Sequence, residues 1–189
     1  HAKPRLLLLP GSRAQELERM LPVLIETAKG LPEFEAVVAG APGRTPTDYR
    51  LAEAAGIPVE FGNTRSLMRS CDIGLITSGT ATLEAALLGL PHVICYKTSP
   101  ITFAIARRLV KSSWIGLPNI LLQDSVVPEK IQSRCTPVNL REAVLALHDG
   151  ASFNAPSEDQ LAHFQVLAQK LHTTSHASQL VASSILAGT

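Results

Sequence analysis

Short apolar runs alternate along this chain with segments in which apolar residues recur every three or four positions. The runs predict five buried β-strands, at residues 5–9, 35–39, 58–61, 72–76 and 92–96. The helical period predicts α-helices over residues 15–29, 48–55, 64–71, 80–88 and 101–111. Residues 114–122 indicate an irregular or extended segment. From residue 126 the pattern favours helix to the end, with a break at 150–156.

This order of elements predicts an α/β fold, a doubly wound parallel sheet with helices on both faces and extra helices at the C-terminus. The strands lack polar alternation, as is typical of strands covered on both faces. We expect one domain over residues 1–150 and a helical extension of that domain over residues 151–189. Ligands of such sheets bind beyond the carboxyl ends of the strands, so the loops after the first, fourth and fifth strands form the candidate site.

The composition is that of a folded domain and excludes several function classes. The 189 residues are 46% hydrophobic and 17% charged, which allows a real core. The net charge of +1 argues against a general nucleic-acid surface. Cys71, Cys95 and Cys135 form neither a CxxC pair nor a zinc spacing, which favours a reducing compartment. No apolar run is long enough to span a membrane, and we expect the start at His1 rather than Met to be the remainder of a trimmed tag and not a natural N-terminus.

The loop after the first predicted strand contains Gly11, Ser12 and Arg13. Gly11 lets the backbone approach a ligand, and the N-terminus of the next helix favours an anion. Arg13 adds a permanent charge and a planar set of donors that suits phosphate. Ser12 also fits a capping box with Gln15, so a helix cap and a ligand contact both stay open for this serine.

The loop after the fourth predicted strand is rich in small hydroxyl residues and leads directly into a helix. Ser78, Gly79, Thr80 and Ala81 place free backbone amides at that helix N-terminus, where they can hold a second phosphate. Glu84 lies more than one turn further on and could accept both hydroxyls of a ribose. The alternative makes the threonines ordinary first-turn residues and Glu84 a solvated charge. Two phosphate-type loops on one sheet favour the ligand.

The segment after the fifth strand offers weaker candidates. Tyr96 and Lys97 could face the ligand or simply edge the sheet. The predicted helix over 101–111 carries basic residues among apolar ones and could contact an anionic membrane surface, although a solvated basic face is the alternative. These basic residues are Arg107, Arg108 and Lys111.

Three further polar residues and two histidines complete the candidates. Asn119 follows a proline, where an asparagine often stabilises a turn, while Glu129 and Gln132 are predicted to share a helix face. His172 and His176 have a metal-like spacing, but no acidic or third ligand is near, so no metal site is predicted. The chain also lacks a GxGxxG fingerprint, a Walker lysine motif and a Gly-x-Ser-x-Gly elbow.

Together these segments resemble the lipid-A-disaccharide synthases, inverting glycosyltransferases of the GT-B fold. The resemblance covers residues 5–150, and the runs TSGTATLE at 77–84 and LPNIL at 117–121 are its most specific parts. The other matching runs, in chain order, are LLPGSR at 8–13 with Glu16, PHVICYK at 91–97, ARRLVK at 106–111 and VPEKIQ at 127–132.

The resemblance implies transfer of 2,3-diacylglucosamine from UDP-2,3-diacylglucosamine to 2,3-diacylglucosamine 1-phosphate, which gives lipid A disaccharide 1-phosphate and UDP. It implies that this Rossmann-like domain is the C-terminal, donor-binding half. An N-terminal domain would then supply the acceptor site and the general base. The family is bacterial, and the protein would lie in the cytoplasm, peripheral on the inner membrane.

The resemblance also assigns roles to residues. Arg13 and Asn119 would be catalytic, with Arg13 and helix-dipole donors stabilising the departing UDP without a metal or other cofactor. Asn119, with Glu129 and Gln132 nearby, would contact the donor sugar or its phosphate. The expected donor-binding residues are Gly11, Ser12, Arg13, Ser78, Gly79, Thr80, Ala81, Glu84, Tyr96, Lys97, Asn119, Glu129 and Gln132.

Two other function classes stay open on the sequence. Another GT-B UDP-sugar enzyme, such as a MurG-like transferase or a UDP-GlcNAc epimerase, would share the Ser-Gly…Glu helix. A non-catalytic nucleotide-binding or interaction module would also fit a chain that carries half of a cleft. Binding of UDP compared with ADP and GDP separates these classes.

Overall fold

A computed structural model of the protein describes residues 3–99, 113–148 and 158–172. Its centre is a six-stranded parallel sheet in the order β3-β2-β1-β4-β5-β6. The strands are β1 Arg5–Leu9, β2 Glu35–Gly40, β3 Val59–Phe61, β4 Ile73–Thr77, β5 His92–Tyr96 and β6 Glu129–Ile131. This is the strand order of a doubly wound Rossmann sheet, so the predicted fold class is confirmed.

The described helices cover both faces of this sheet. They are α1 Ala14–Lys29, α2 Arg50–Ala54, α3 Thr64–Ser70, α4 Thr80–Leu87, α5 Leu117–Leu122, α6 Pro137–His148 and α7 over residues 158–172. Short 3-10 turns occupy Pro46–Tyr49 and Gln132–Arg134. The helix predicted over 101–111, with Arg107, Arg108 and Lys111, lies outside the described residues.

The leucine run of β1 shows why the strands of this sheet carry apolar side chains on both faces. Leu6 and Leu8 pack with α1 and α6 in one cluster, while Leu7 packs with α3 and α4 in another. All three side chains are fully buried. Because successive side chains of a strand point to opposite faces, a sheet covered by helices on both faces needs an unbroken apolar run.

The secondary structure predicted for the C-terminal half was wrong in two places. Residues 114–122 were expected to be irregular or extended, yet α5 begins after Gly116 with proline in its first turn, where the missing amide costs nothing. The chain after residue 126 was expected to be helical, yet it first forms β6 at the edge of the sheet. β6 has only three half-buried residues, too few for a recognisable period.

This edge strand also overturns the shared helix face of Glu129 and Gln132. Glu129 is the first residue of β6, and Gln132 begins the following 3-10 turn with a φ of +52°. The two side chains therefore leave the backbone in unrelated directions, and each finds a different partner, as described below.

Helix α7 packs on α4 and β5, so it joins the same body as the sheet. Phe164 and Leu167 of α7 are buried against Ala86 and Ile94. The Gln160 amide accepts from the backbone N of one strand residue, His92, at 3.0 Å and donates to its carbonyl at 3.1 Å. None of the described helices is both long and apolar enough to cross a bilayer.

The three cysteines are core residues. Cys71, Cys95 and Cys135 are all buried and free, and they belong to the apolar clusters on the two faces of the sheet. Burial raises the pKa of each thiol, because a thiolate loses its solvation in an apolar environment. Reactive cysteines require the opposite shift, so these thiols belong to the packing of the domain.

Candidate functional site

A cleft of about 880 Å³ opens at the carboxyl ends of the strands, where the strand order reverses between β1 and β4. Helix α1 follows β1 and helix α4 follows β4, so two helix N-termini with free amides lie at one crevice. Many predicted binding residues line it, namely Gly11, Ser12, Ser78, Gly79, Thr80, Ala81 and Glu84. The structure thus brings the two predicted phosphate loops together.

The first loop is held by Glu16, and the capping box of Ser12 with Gln15, one of the two roles left open for this serine, does not form. Arg13 is the N-cap of α1, and its backbone N donates to Glu16 Oε2 at 3.3 Å. Gly11 has a φ of +99°, and a Cβ there would lie 2.7 Å from the same carboxylate oxygen. Glycine is therefore required because the capping carboxylate lies against the loop. Ser12, free of a capping role, lies exposed on the cleft wall.

Arg13 is in the predicted loop but does not line the cleft. Its side chain is 82% exposed, and its Nη1 donates to Glu16 Oε1 at 3.0 Å. The guanidinium has several donors, so this pair leaves others for a ligand. Contact between Arg13 and a phosphate would need a rotation of the side chain towards the cleft, and it stays a prediction.

Some hydroxyl groups of the second loop make hydrogen bonds within the protein, and one is exposed to the cleft. Thr82 is fully buried and donates to the carbonyl of Gly79 at 2.8 Å, while Ser78 Oγ donates to the carbonyl of Ile115 at 3.3 Å. Thr80 is exposed on the cleft wall at the first position of α4. The loop therefore presents backbone amides and Thr80 to a ligand, whereas Thr82 stabilises the turn into the helix.

Two arginines that the sequence analysis missed complete the cleft. Arg65 and Arg69 lie on α3, after β3, and both line the cleft. Arg65 Nε donates a hydrogen bond to Glu84 Oε1, so the carboxylate predicted to bind a ribose already has a cationic partner. The missed signal was a pair of arginines four positions apart that follow a strand. Their relevance depends on strand order: β3 pairs with β2 and β4 pairs with β1, so α3, which connects β3 to β4, crosses the face of β2 and β1.

The predicted residues Asn119 and Glu129 form a hydrogen-bond network that adjoins the cleft wall through Ile115, which contacts both Glu129 and Ser78. Asn119 is fully buried, and its Nδ2 donates to the carbonyl of Val127 at 2.8 Å and to Glu129 Oε1 at 3.0 Å. Its Oδ1 accepts from the backbone N of Val127 at 2.8 Å. Both amide protons of Asn119 are therefore used inside the protein. A direct contact between Asn119 and a donor sugar would require this network to open.

Glu129 and Gln132 each hold a loop by accepting hydrogen bonds from backbone amides. Glu129 Oε1 accepts from the backbone N of Gly116 at 2.9 Å, which caps the start of α5 with a negative charge. Gln132 Oε1 accepts from the backbone N of Thr98 at 2.9 Å and so ties the loop after β5 to the 3-10 turn. Tyr96 and Lys97, at the end of β5, are partly buried and do not line the cleft.

Only one of the two histidines lies within the described residues. His172 is the last residue of the described part of α7, and His176 lies outside the described residues. Within the part of the chain that the structure describes, no group of three or more His, Cys, Asp or Glu is placed to hold a metal ion.

A protein-family model described as lipid-A-disaccharide synthetase matches residues 1–183 of the chain. The chain belongs to this family. The lipid-A-disaccharide synthase of Chromobacterium violaceum is 37% identical over 188 residues, which cover 94% of the chain and 48% of that protein. The lipid-A-disaccharide synthase of Neisseria meningitidis serogroup B is 44% identical over 151 residues, 75% of the chain and 39% of that protein. The chain thus spans about half the length of the curated relatives it matches.

Solved structures agree with the fold of this family member. A candidate UDP-N-acetylglucosamine 2-epimerase from Listeria monocytogenes superposes with a TM-score of 0.53 at 17% identity, over 85% of the chain and 40% of that protein. A pneumococcal O-GlcNAc transferase, solved with UDP and GlcNAc, superposes with a TM-score of 0.51 at 14% identity, over 92% of the chain and 35% of that protein. At these identities the likeness shows a shared Rossmann-like fold and nothing finer.

Proposed function

We propose that the chain is the donor-binding part of a lipid-A-disaccharide synthase. The full enzyme would transfer 2,3-diacylglucosamine from UDP-2,3-diacylglucosamine to 2,3-diacylglucosamine 1-phosphate and release UDP. Membership of the family supports the reaction, and the cleft at the strand-order reversal supports the role of this part. The observation that carries the proposal is the pair of helix N-termini, of α1 and α4, that meet at one cleft.

The diphosphate of UDP fits the chemistry of this pair. Each helix N-terminus carries a partial positive charge and first-turn amides without an intrahelical partner, although the Arg13 amide at the start of α1 is taken by Glu16. Two such ends favour two adjacent phosphates. We assign the amides of Gly79 to Ala81 and the hydroxyl of Ser12 to the diphosphate, with Arg13 rotating in from the rim. Glu84, further along α4, takes the ribose hydroxyls.

These groups would also supply the catalytic contribution of this part of the enzyme. Negative charge grows on the diphosphate as the sugar–oxygen bond breaks, and prearranged amides and Arg13 stabilise that charge. The general base and the acceptor site are assigned to an N-terminal domain. The chain by itself should therefore bind UDP and show no transfer of sugar to the acceptor.

Calorimetric titration of the 189-residue chain with UDP and with inorganic diphosphate tests the site. Arg13→Ala should cost roughly 1.5–3 kcal/mol of binding free energy for UDP, because it removes a charge-assisted hydrogen bond. Arg13→Lys should recover part of this loss, since an ammonium cannot make the planar fork. Glu84→Gln should weaken the binding of UDP but not that of diphosphate, because diphosphate has no ribose.

Arg19→Ala is a matched control, because Arg19 is exposed on α1 outside the cleft and loses the same charge. It should bind UDP as the wild type does. If Arg13→Ala also binds UDP as the wild type does, the loop after β1 serves only to start α1. Equal binding of UDP, ADP and GDP would favour a general nucleotide module, and binding of none of them would favour an interaction module.

The membrane surface and the cellular location are part of the same proposal. Arg107, Arg108 and Lys111 could attract the anionic inner leaflet of a bacterial membrane. Their replacement by neutral residues should reduce sedimentation of the chain with anionic vesicles, and added salt should have the same effect. Failure of the wild type to sediment with such vesicles at low salt would contradict this surface.

A further inference from the structure

The ion pair between Arg65 and Glu84 links two elements that the chain places far apart in sequence. Arg65 lies in the first turn of α3, after β3, and Glu84 lies in the second turn of α4, after β4. Both helices pack on the same face of the sheet, through Leu67 and Met68 of α3 and Ala85 of α4. The pair therefore bridges the two helices at the edge where the cleft opens.

The pair also forms a wall between the cleft and a second groove. Arg65 and Glu84 line the main cleft on one side and, on the other, a groove of about 550 Å³ against Leu83 and Leu87 of α4. The Arg65 side chain is 76% exposed, while that of Glu84 is 34% exposed. A long exposed side chain loses conformational freedom when it is held in one place, so an exposed pair of this kind contributes little to folding.

A carboxylate in this cleft creates an electrostatic problem for an anionic ligand. Glu84 lies near the helix N-termini that would bind a diphosphate, and two like charges in one site repel each other. A guanidinium that holds one oxygen of the carboxylate offsets its charge and restrains its position. Arg65 Nε engages Oε1, and no described residue donates a hydrogen bond to Oε2, which leaves that oxygen as an acceptor.

We propose that Arg65 is a positioning residue that orients Glu84 for the two hydroxyls of a ribose and so sets the preference for a ribonucleotide ligand. This inference rests on the proposed function, because it takes the ligand to be a nucleoside diphosphate. Arg65 acts through Glu84 and makes no contact with the ligand itself. Loss of its charge should weaken both kinds of ligand alike, so its positioning effect is read from the ratio of affinities for ligands with and without ribose hydroxyls.

The test compares UDP with 2′,3′-dideoxy-UDP by calorimetric titration of the same 189-residue chain. The two ligands have the same base and charge, so the ratio of their affinities reports the hydroxyl contacts alone. We expect the wild type to prefer UDP on the order of tenfold or more, as for hydrogen bonds to a charged acceptor. Arg65→Ala should reduce this preference to about twofold or less, and Arg65→Lys should restore part of it.

Arg69→Ala is the matched control on the same helix. Arg69 also lines the cleft, but it makes no hydrogen bond or ion pair within the described part of the chain. Its removal takes the same charge from the cleft, so it should weaken both ligands equally and leave their ratio at the wild-type value. The double variant Arg65→Ala, Glu84→Gln should show the same ratio as Glu84→Gln alone, because Arg65 acts through Glu84.

Each other result contradicts a specific step. A wild-type ratio in Arg65→Ala would overturn the positioning role while leaving the proposed function intact. The double variant is also compared with Glu84→Gln in its affinity for dideoxy-UDP. If the additional loss exceeds the loss caused by Arg69→Ala, Arg65 binds the phosphates directly. Absence of UDP binding by the wild type would overturn the proposed function and this inference with it.

Discussion

Replacement of Asn119 by alanine separates a supporting role from a ligand contact. Asn119 and Val127 are both fully buried, and the amide of Asn119 satisfies both the backbone N and the carbonyl of Val127. Asn119→Ala leaves those two groups without a partner and without access to water. Each buried polar group left unpaired costs about 1–3 kcal/mol, so the variant should lose roughly 4 kcal/mol of unfolding free energy. That is a large part of the ~5–15 kcal/mol of a typical domain.

Equilibrium urea unfolding followed by circular dichroism measures this loss. The midpoint should fall while the slope with urea stays unchanged, because the same surface is exposed on unfolding. Asn119→Asp keeps the shape of the side chain but loses both donors and places a carboxylate beside Glu129, so it should be at least as unstable. Asn139→Ala is the control, since its amide donates to the Arg134 carbonyl in an exposed position and should cost less than about 1 kcal/mol.

One result would refute the supporting role of Asn119. If the free energy of unfolding of Asn119→Ala lies within about 1 kcal/mol of the wild-type value, the buried network does not need the amide. If that variant also loses affinity for a UDP-sugar, the sequence-based assignment of Asn119 to the donor would be the better one. A stable fold with unchanged binding would contradict both roles.

Two further predictions concern stability. Burial lowers the pKa of His92 to about 4, compared with about 6.5 in the unfolded chain. Between these two pH values the unfolded chain binds a proton that the folded protein does not. The free energy of unfolding should therefore fall by roughly 3 kcal/mol as the pH is lowered from 7 to 4. Urea unfolding between pH 7 and pH 4 should show this fall in the free energy of unfolding for the wild type and a smaller fall for His92→Phe. An equal fall in both proteins would contradict the role of His92. Gly11→Ala forces a φ of +99° and a contact with Glu16, so it should cost about 1–3 kcal/mol in thermal unfolding. Gly43→Ala, with a φ of +77° and open space around its Cβ, should cost less, and equal losses would show that Glu16 is irrelevant.

Local patterns in the sequence were sufficient for the elements that are buried on both faces or that begin a helix. The five predicted strands all form, because an unbroken run such as Leu6 to Leu8 can be buried only between two layers of helices. The two phosphate-type loops were found for a similar reason. A glycine or a run of small hydroxyl residues between a strand and a helix reports a local backbone geometry.

The same local reasoning failed where a few residues depend on distant partners. β6 forms because Glu129 to Ile131 pair with β5, and three residues carry no period of their own. A cap by Ser12 stayed open on the sequence because serine matches the common pattern, whereas the structure shows that Arg13 and Glu16 cap α1. Neither the pairing of β6 nor the cap of α1 can be predicted from the spacing of residues along the chain.

The sequence alone determined that this protein is a doubly wound α/β domain, with candidate phosphate loops after its first and fourth strands, that resembles lipid-A-disaccharide synthases. Tertiary structure decided which side chains share the cleft. Strand order placed Arg65 beside Glu84, and hydrogen bonds to Val127 and Glu129 hold the buried Asn119. The physical reason is that burial and helix period are properties of neighbouring residues. Strand order and side-chain partnership depend on packing between segments that are distant in the chain.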